Sequence, residues 1–313
     1  MQVLSRDEPL VRTVNLRNIL LATDGSTAAH WALGAAADLA RRSGAALHLV
    51  TAYEFAPASV LAFAPYIGPD SAWDTFEADA QTLLEVERDR VVALGATVGS
   101  LHVAREPAFN AVMDVALTVD ADLVVVGSRE LDGLKRLLVG SVSERVMHCV
   151  HRPVLIVRGG PGCWPPEQVI VGFDDSEGSR DAALFAATIT HLYRDAAIEL
   201  VEAEPLVSAA EDRYLSPNDD PMIEHGHLRQ FARALAPVAG RGVDTAIAVG
   251  DPAEALIACD AERPGTSLMV VGTRGLGAVR RLLLGSVSTR LLHAGHAALL
   301  VVPEQETVTA GEI

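Results

Sequence analysis

Two stretches of this chain are near copies of one another. VGSRELDGLKRLLVGSVS at 126–143 returns as VGTRGLGAVRRLLLGSVS from Val271. The openings match as well: NILLATDGSTAAHWAL from Asn18 parallels QVIVGFDDSEGSRDAAL from Gln168, which sets Asp24 against Asp174 and Ser26 against Ser176. Solenoid repeats recur every 20 to 50 residues or so, and this period is far longer, so the chain reads as a duplicated domain. A length of 313 residues agrees, since one domain takes roughly 100 to 200. The boundary falls in RGGPGCWPPE at 158–167, where glycine and proline interrupt helix and strand alike. The expected organisation is a tail at 1–15, a first domain at 16–158, a linker at 159–167, a second domain at 168–303 and a tail at 304–313.

Within each half, short runs rich in Val, Ile and Leu alternate with longer amphipathic ones. NILLAT, ALHLVTA, TVGSLHV, DLVVVG and PVLIVR supply the first set; VIVGF, IELVEA, DTAIAVG, SLMVVG and ALLVVP supply the second. Runs with so little alternation fit parallel strands buried on both faces. Between them, the stretch from Thr27 has Ser26 placed as an N-cap and Gly44 as its stop. EADAQTLLEVERDRVVALG and PAFNAVMDVALTV continue the helical set. The expected fold is α/β: two tandem, doubly wound, five-stranded parallel sheets joined by right-handed crossovers.

In such sheets ligands bind beyond the carboxyl ends of the strands, where the strand order reverses. The repeated motif sits at such a place. SLMVV runs into Gly272, Thr273, Arg274 and Gly275; nine residues later Gly285 and Ser286 open the last helix. Glycines let a backbone approach a ligand closely, and a helix N-terminus offers unpaired N–H groups and a partial positive charge. Ser286 and Ser288 add hydroxyls, so a phosphate chain can be held without a lysine. Turn-forming glycines and a capping serine explain the same residues without a ligand, and both explanations stand at this point. Neither a Walker A loop nor a Gly-x-Gly-x-x-Gly follows the first strand of either half.

This combination resembles a tandem universal stress protein of the ATP-binding type. Nucleotide-binding members carry Gly-x-x-Gly, nine residues, then Gly-Ser/Thr, together with an aspartate after the first strand. Gly272, Gly275, Gly285 and Ser286 match the motif and Asp174 matches the aspartate, and the similarity runs through nearly all of both halves. The resemblance implies Rossmann-like domains and ATP, with Mg²⁺, as the cofactor. It places the glycines and Ser286 at ribose and phosphates, and Asp174 with the backbone near Val201 at the adenosine end. The corresponding first-half positions are Asp24, Val50, Gly127, Gly140 and Ser141. It also implies a stress-response sensor or regulator that engages an unidentified protein partner. Family members often dimerise through their last strands, so PVLIV and ALLVV are expected to pair within the chain as a pseudo-dimer, with a homodimer as a further form.

The first half departs from the pattern at Glu130, where the second has Gly275, and at Arg105, where it has Gly250. A carboxylate about 4 Å from a triphosphate costs up to roughly 4 kcal/mol at an effective dielectric near 20. The first cradle is therefore expected to be the weaker one.

Composition removes other classes. A formal net charge of −16 repels nucleic-acid phosphates, and no basic run offers an exception. No uncharged apolar run reaches the ~18 residues of a membrane span. MQVLSRDEPLVRTVN is unlike a secretory signal, so the cytoplasm is the expected compartment. Cys149, Cys163 and Cys259 are an odd count at wide spacing and read as reduced thiols. HCVH at 148–151 has two histidines three apart but no clear further ligand, so no metal residue is assigned. The basic pairs Lys135-Arg136 and Arg280-Arg281 read equally as anion contacts or as solvated positions. No base, nucleophile and orienting group stand out, so no catalytic residue is assigned and the chain is not expected to be an enzyme. Two alternatives stay open: an interaction protein with little or no nucleotide binding, and an ATP-using enzyme of a related fold. The latter lacks the Ser-Gly-Gly-x-Asp loop after either first strand.

Overall fold

The computed structural model describes residues 14–54, 69–128, 145–146, 151–158, 160, 162–204, 226–263, 265–273, 285–294 and 297–304. The chain divides into two compact units, one spanning Asn15–Trp164 and the other taking in the chain from Pro165 onward.

In the first unit the strands are β1 (Asn18–Ala22), β2 (Ala46–Ala52), β3 (Thr97–Ala104), β4 (Leu123–Gly127) and β5 (Val154–Val157). They lie in the order β3-β2-β1-β4-β5 and every pair is parallel. The chain works outward from β1 to β3 and then crosses to β4, so the order reverses between β1 and β4. Leu20, Leu21, Leu47, Leu49, Val124 and Val125 are fully buried, as parallel strands covered on both faces require.

Helix α1 (Thr27–Ser43) starts where Ser26 accepts a hydrogen bond from the Ala29 N–H and stops at Gly44, whose φ of 76° favours glycine. Its buried face is largely alanine, which lets the helix lie close to the sheet. Helix α2 (Pro69–Ala93) begins eight residues before the run from Glu77 that the sequence marks, and so takes in the last part of YEFAPASVLAFAPYIGPDSAW at 53–73, an aromatic- and proline-rich stretch that the sequence leaves open as a lid, a partner surface or a packed connection. Residues 55–68 of that stretch lie outside the described residues. Ala80, Leu84, Glu87 and Val91 form the buried stripe of α2, while Phe76, Val86 and Val92 face outward. Within the stripe, Glu87 is held by His30 of α1 at 3.0 Å and by Arg90 at 2.9 Å. Helix α3 (Ala108–Thr118) leads into β4.

The second unit repeats the plan. Its strands are β6 (Gln168–Gly172), β7 (Ala197–Glu204), β8 (Asp244–Val249), β9 (Ser267–Gly272) and β10 (Ala298–Val302), in the order β10-β9-β6-β7-β8 and again parallel. The helices between them are α4 (Glu177–Leu192), α5 (Gly226–Ala239), α6 (Pro252–Ala261) and α7 (Ser286–Ala294). The reversal falls between β6 and β9. Among the described residues no helix is long and apolar enough to cross a membrane.

Candidate nucleotide site

The loop after the first strand is built alike in both units. In the second, the Phe173 N–H donates to the Val201 carbonyl at 2.9 Å, which fastens the strand end to β7. The Asp174 carboxylate then accepts from the Ser176 N–H at 3.2 Å and the Ser176 hydroxyl at 2.5 Å. The same hydroxyl oxygen caps α4 by accepting from the Ser179 N–H at 3.2 Å. In the first unit the Thr23 N–H donates to the Val50 carbonyl at 3.0 Å, and Asp24 accepts from the Ser26 N–H at 2.9 Å. Both aspartates thus shape the turn. Asp174 is half-buried, and its counterpart Asp24 is exposed. The Val50 and Val201 side chains are buried, so only their backbone is offered toward a ligand. The turn requires a left-handed residue, which is Gly25 (φ 70°) in the first unit and Asp175 (φ 62°) in the second, where Arg180 pairs with it at 2.7 Å.

Gly272 meets this loop directly. A Cβ there would sit 2.8 Å from the Gly178 carbonyl carbon and oxygen in the first turn of α4. Gly127 is placed likewise, since a Cβ would run into the Ala28 carbonyl of α1. Both glycines let the end of the strand touch the backbone of the helix beside it. Past Gly272, the Thr273 N–H donates to the Val302 carbonyl at 2.9 Å, and the Thr273 carbonyl accepts from the Gly285 N–H at 2.8 Å. The second bond brings the start of α7 back to the strand end. The first bond within α7 is donated by the Thr289 N–H to the Gly285 carbonyl at 3.1 Å. The N–H groups of Ser286, Val287 and Ser288 precede it and have no partner inside the helix.

Ser286 is exposed at this opening. Ser288 differs, being 1% exposed with its hydroxyl donating to the Gly285 carbonyl at 3.0 Å. It is back-bonded within the first turn of the helix, and that proton would have to be released before the hydroxyl could donate to a phosphate. Gly275, Gly140, Ser141 and Glu130 lie outside the described residues, as do Lys135, Arg136, Arg280, Arg281 and His148. In the second unit, then, the structure brings Asp174, Gly272, Gly285 and Ser286 to one end of the sheet. In the first it does the same for Asp24 and Gly127.

Two features of this end escaped the sequence. In the first unit the Arg105 guanidinium lies 3.6 Å over the centre of the Trp73 ring, and Trp73 packs against Tyr53 with ring centres 6.0 Å apart. The Tyr53 hydroxyl donates to Glu77 at 3.3 Å. Burial and the neighbouring Glu77 push its phenol above the usual range, with Arg105 pulling the other way. The stack follows the carboxyl ends of β2 and β3. In the second unit, Arg290 of α7 pairs with Asp251 at 2.5 Å and Glu254 at 3.0 Å, tying α7 to α6. Arg145, which holds the place of Arg290 in the repeat, lies 4.9 Å over the Phe109 ring instead. The signal for the first feature was divided between an unmatched arginine and an aromatic cluster, which only the fold brings together.

The N–H groups at the start of α7 and the exposed Ser286 hydroxyl can donate to the phosphates of a nucleotide, and the half-buried Asp174 carboxylate at the same end of the sheet can accept from its sugar or base. Among the described residues, no three or more His, Cys, Asp or Glu side chains converge as a metal site.

A model of the universal stress protein family matches residues 15–158 and again 166–303. A universal stress protein of Mycolicibacterium smegmatis is 28% identical over 240 residues, which cover 72% of this chain and 77% of that protein. The universal stress protein YxiE of Bacillus subtilis is 30% identical over 145 residues, covering 45% of this chain and 97% of that one. Among solved structures, a universal stress protein from Archaeoglobus fulgidus superposes with a TM-score of 0.70 at 19% identity. The match covers 92% of this chain and 98% of that one, and at such identity it speaks for the fold alone.

Proposed function

The chain belongs to the universal stress protein family, with one domain in each half, and from that premise we propose that the second domain binds ATP, with Mg²⁺, as a regulatory ligand. Asp174 and the backbone at Val201 would face the adenosine, and Gly272, Gly275, Gly285 and Ser286 the ribose and phosphates. The observation that carries this reading is the convergence in the second domain: the Asp174 turn, Gly272 pressed on Gly178, and α7 drawn back by the Gly285–Thr273 bond. Bound ATP supplies negative charge and an adenosine face, and the chain answers with N–H groups before the first bond of α7.

The reading is of binding without rapid turnover. Asp174 is engaged in holding the Ser176 turn, Asp175 beside it pairs with Arg180, and Asp251 and Glu254 pair with Arg290. A phosphate-release assay on the purified protein is expected to stay well below the roughly 1 per second at the low end of ordinary enzymes. Release in the enzymatic range would overturn that part of the proposal. Mass spectrometry of the denatured protein, together with a thermal-shift series in ATP and Mg²⁺, tests the ligand itself. An adenine nucleotide released on denaturation, or a melting point that climbs with ATP, is expected; neither appearing would move the whole chain to the second reading.

That second reading, an interaction module that holds no nucleotide, is favoured for the first domain by the Arg105–Trp73 stack and by Glu130 in the place of Gly275. We therefore assign the two domains different work. The second answers to nucleotide, and the first presents a surface to a protein partner.

A further inference from the structure

Strands β2 and β3 of the first domain are not in continuous register. Leu47 faces Val98 and Leu49 faces Leu101, so the single residue His48 stands opposite two, Gly99 and Ser100. This is a β-bulge on an edge strand, a device that re-aims side chains. Residues alternate between faces along a strand. In an unbroken register, without this bulge, Ser100 and His102 would share the face of Val98 and Leu47. With it they fall on the face of His48, and His102 pairs with Val50. Gly99 makes room, because a Cβ there would lie 2.7 Å from both ring nitrogens of His48.

The bulge gathers a specific set of groups. The Ser100 hydroxyl is 2.6 Å from His48 Nδ1 and 2.6 Å from His102 Nε2. Behind His48, its Nε2 lies 3.4 Å from Asn18 Oδ1. That oxygen accepts a hydrogen bond from the Nε2–H, which leaves the Nδ1 lone pair aimed at Ser100. One hydroxyl carries one proton, so Ser100 donates to His48 and accepts from His102. All four side chains are only half-buried, so water reaches them.

We propose that His48 and His102 form a binding site for a divalent transition-metal ion, Cu²⁺ in preference to Zn²⁺. An ion at the position of the hydroxyl hub needs nitrogen at about 2.0–2.1 Å, so each ring closes in by roughly half an ångström and Ser100 turns aside. His102 then carries its proton on Nδ1, and water fills the remaining positions. Asn18 acts from behind, fixing the tautomer and orientation of His48. The preference for Cu²⁺ follows the general order of divalent affinities at nitrogen ligands. The second domain serves as an internal control. There Glu199, paired with Arg263, stands opposite Ile170 as His48 stands opposite Leu20, and Ala246 faces Val201 where His102 faces Val50. The register of β7 with β8 runs unbroken from Glu199–Asp244 to Glu204–Val249. The proposal does not depend on nucleotide binding.

Titration of the full chain with Cu²⁺ and then Zn²⁺, followed by calorimetry and by electron paramagnetic resonance of the Cu²⁺ form, tests this site. One tight equivalent with two nitrogen ligands is expected. His48→Gln and His102→Gln should each weaken it by about tenfold or more, while the joint His148→Gln and His151→Gln variant should keep it. Unchanged affinity in both single variants, or loss only in the joint one, would overturn the proposal. A readout that needs no variant is carbethoxylation of the unaltered protein with and without one equivalent of Zn²⁺. Selective protection of His48 and His102 supports the site, and protection of neither refutes it.

Discussion

Gly272 and Gly127 illustrate how one residue type answers two demands. Read in the sequence, they are the ligand-facing glycines of a phosphate motif. In the fold each abuts the backbone of the neighbouring helix, with Gly272 against Gly178 and Gly127 against Ala28. Packing alone therefore requires glycine in both domains, whichever of them holds a nucleotide. Gly272→Ala is expected to destabilise the second domain by about 1–3 kcal/mol, because helix or strand must shift to admit the methyl group. Urea unfolding of the apo protein measures this, and an unchanged midpoint would mean that the strand end yields freely. The information that separates the domains lies instead at Gly275 and Glu130, where the repeat diverges. Ser288 was equally hard to judge from sequence. Whether a hydroxyl near a helix start faces outward or donates back to a carbonyl of its own turn depends on its angular position, and here it points inward to the Gly285 carbonyl.

Elements were more legible than their contacts. The strands fall within a residue or two of the Val, Ile and Leu runs, and α1 starts and stops at Ser26 and Gly44 as its caps dictate. The start of α2 was not readable, because the aromatic and proline residues before Glu77 read alike as a lid, a partner surface or a packed connection, whereas Pro69 suits a first helical turn. Nor was the bulge at Gly99–Ser100, which can be seen only against β2. Contacts between elements also distinguish the crevices: Arg105, after β3, stacks on Trp73 of α2, and Arg290 instead links α7 to α6. A cation on a tryptophan face contributes about 0.5–1 kcal/mol at an exposed site, so the stack is firm but can be undone. The double variant Arg105→Gly and Glu130→Gly is expected to add ATP binding in the first domain, read as a stoichiometry rising from one toward two per chain. If the stoichiometry stays at one, neither side chain is what keeps nucleotide out.

At the scale of the whole molecule, duplication has kept the frame and let the two sites drift apart. Both halves hold the same strand order, the same aspartate turn and the same close-packed glycine at the end of the fourth strand. They differ in charge at the motif, in what covers the ends of the outer strands, and in the histidine pair that only the first carries. On the proposed function, this asymmetry makes a protein with one ATP site, in the second domain. Isothermal calorimetry with ATP and Mg²⁺ tests it most directly, on the unaltered chain and on Gly275→Glu. One ATP per chain is predicted, falling by more than about tenfold in affinity when the carboxylate enters the second motif. Two equivalent sites, or a single site untouched by Gly275→Glu, would contradict it.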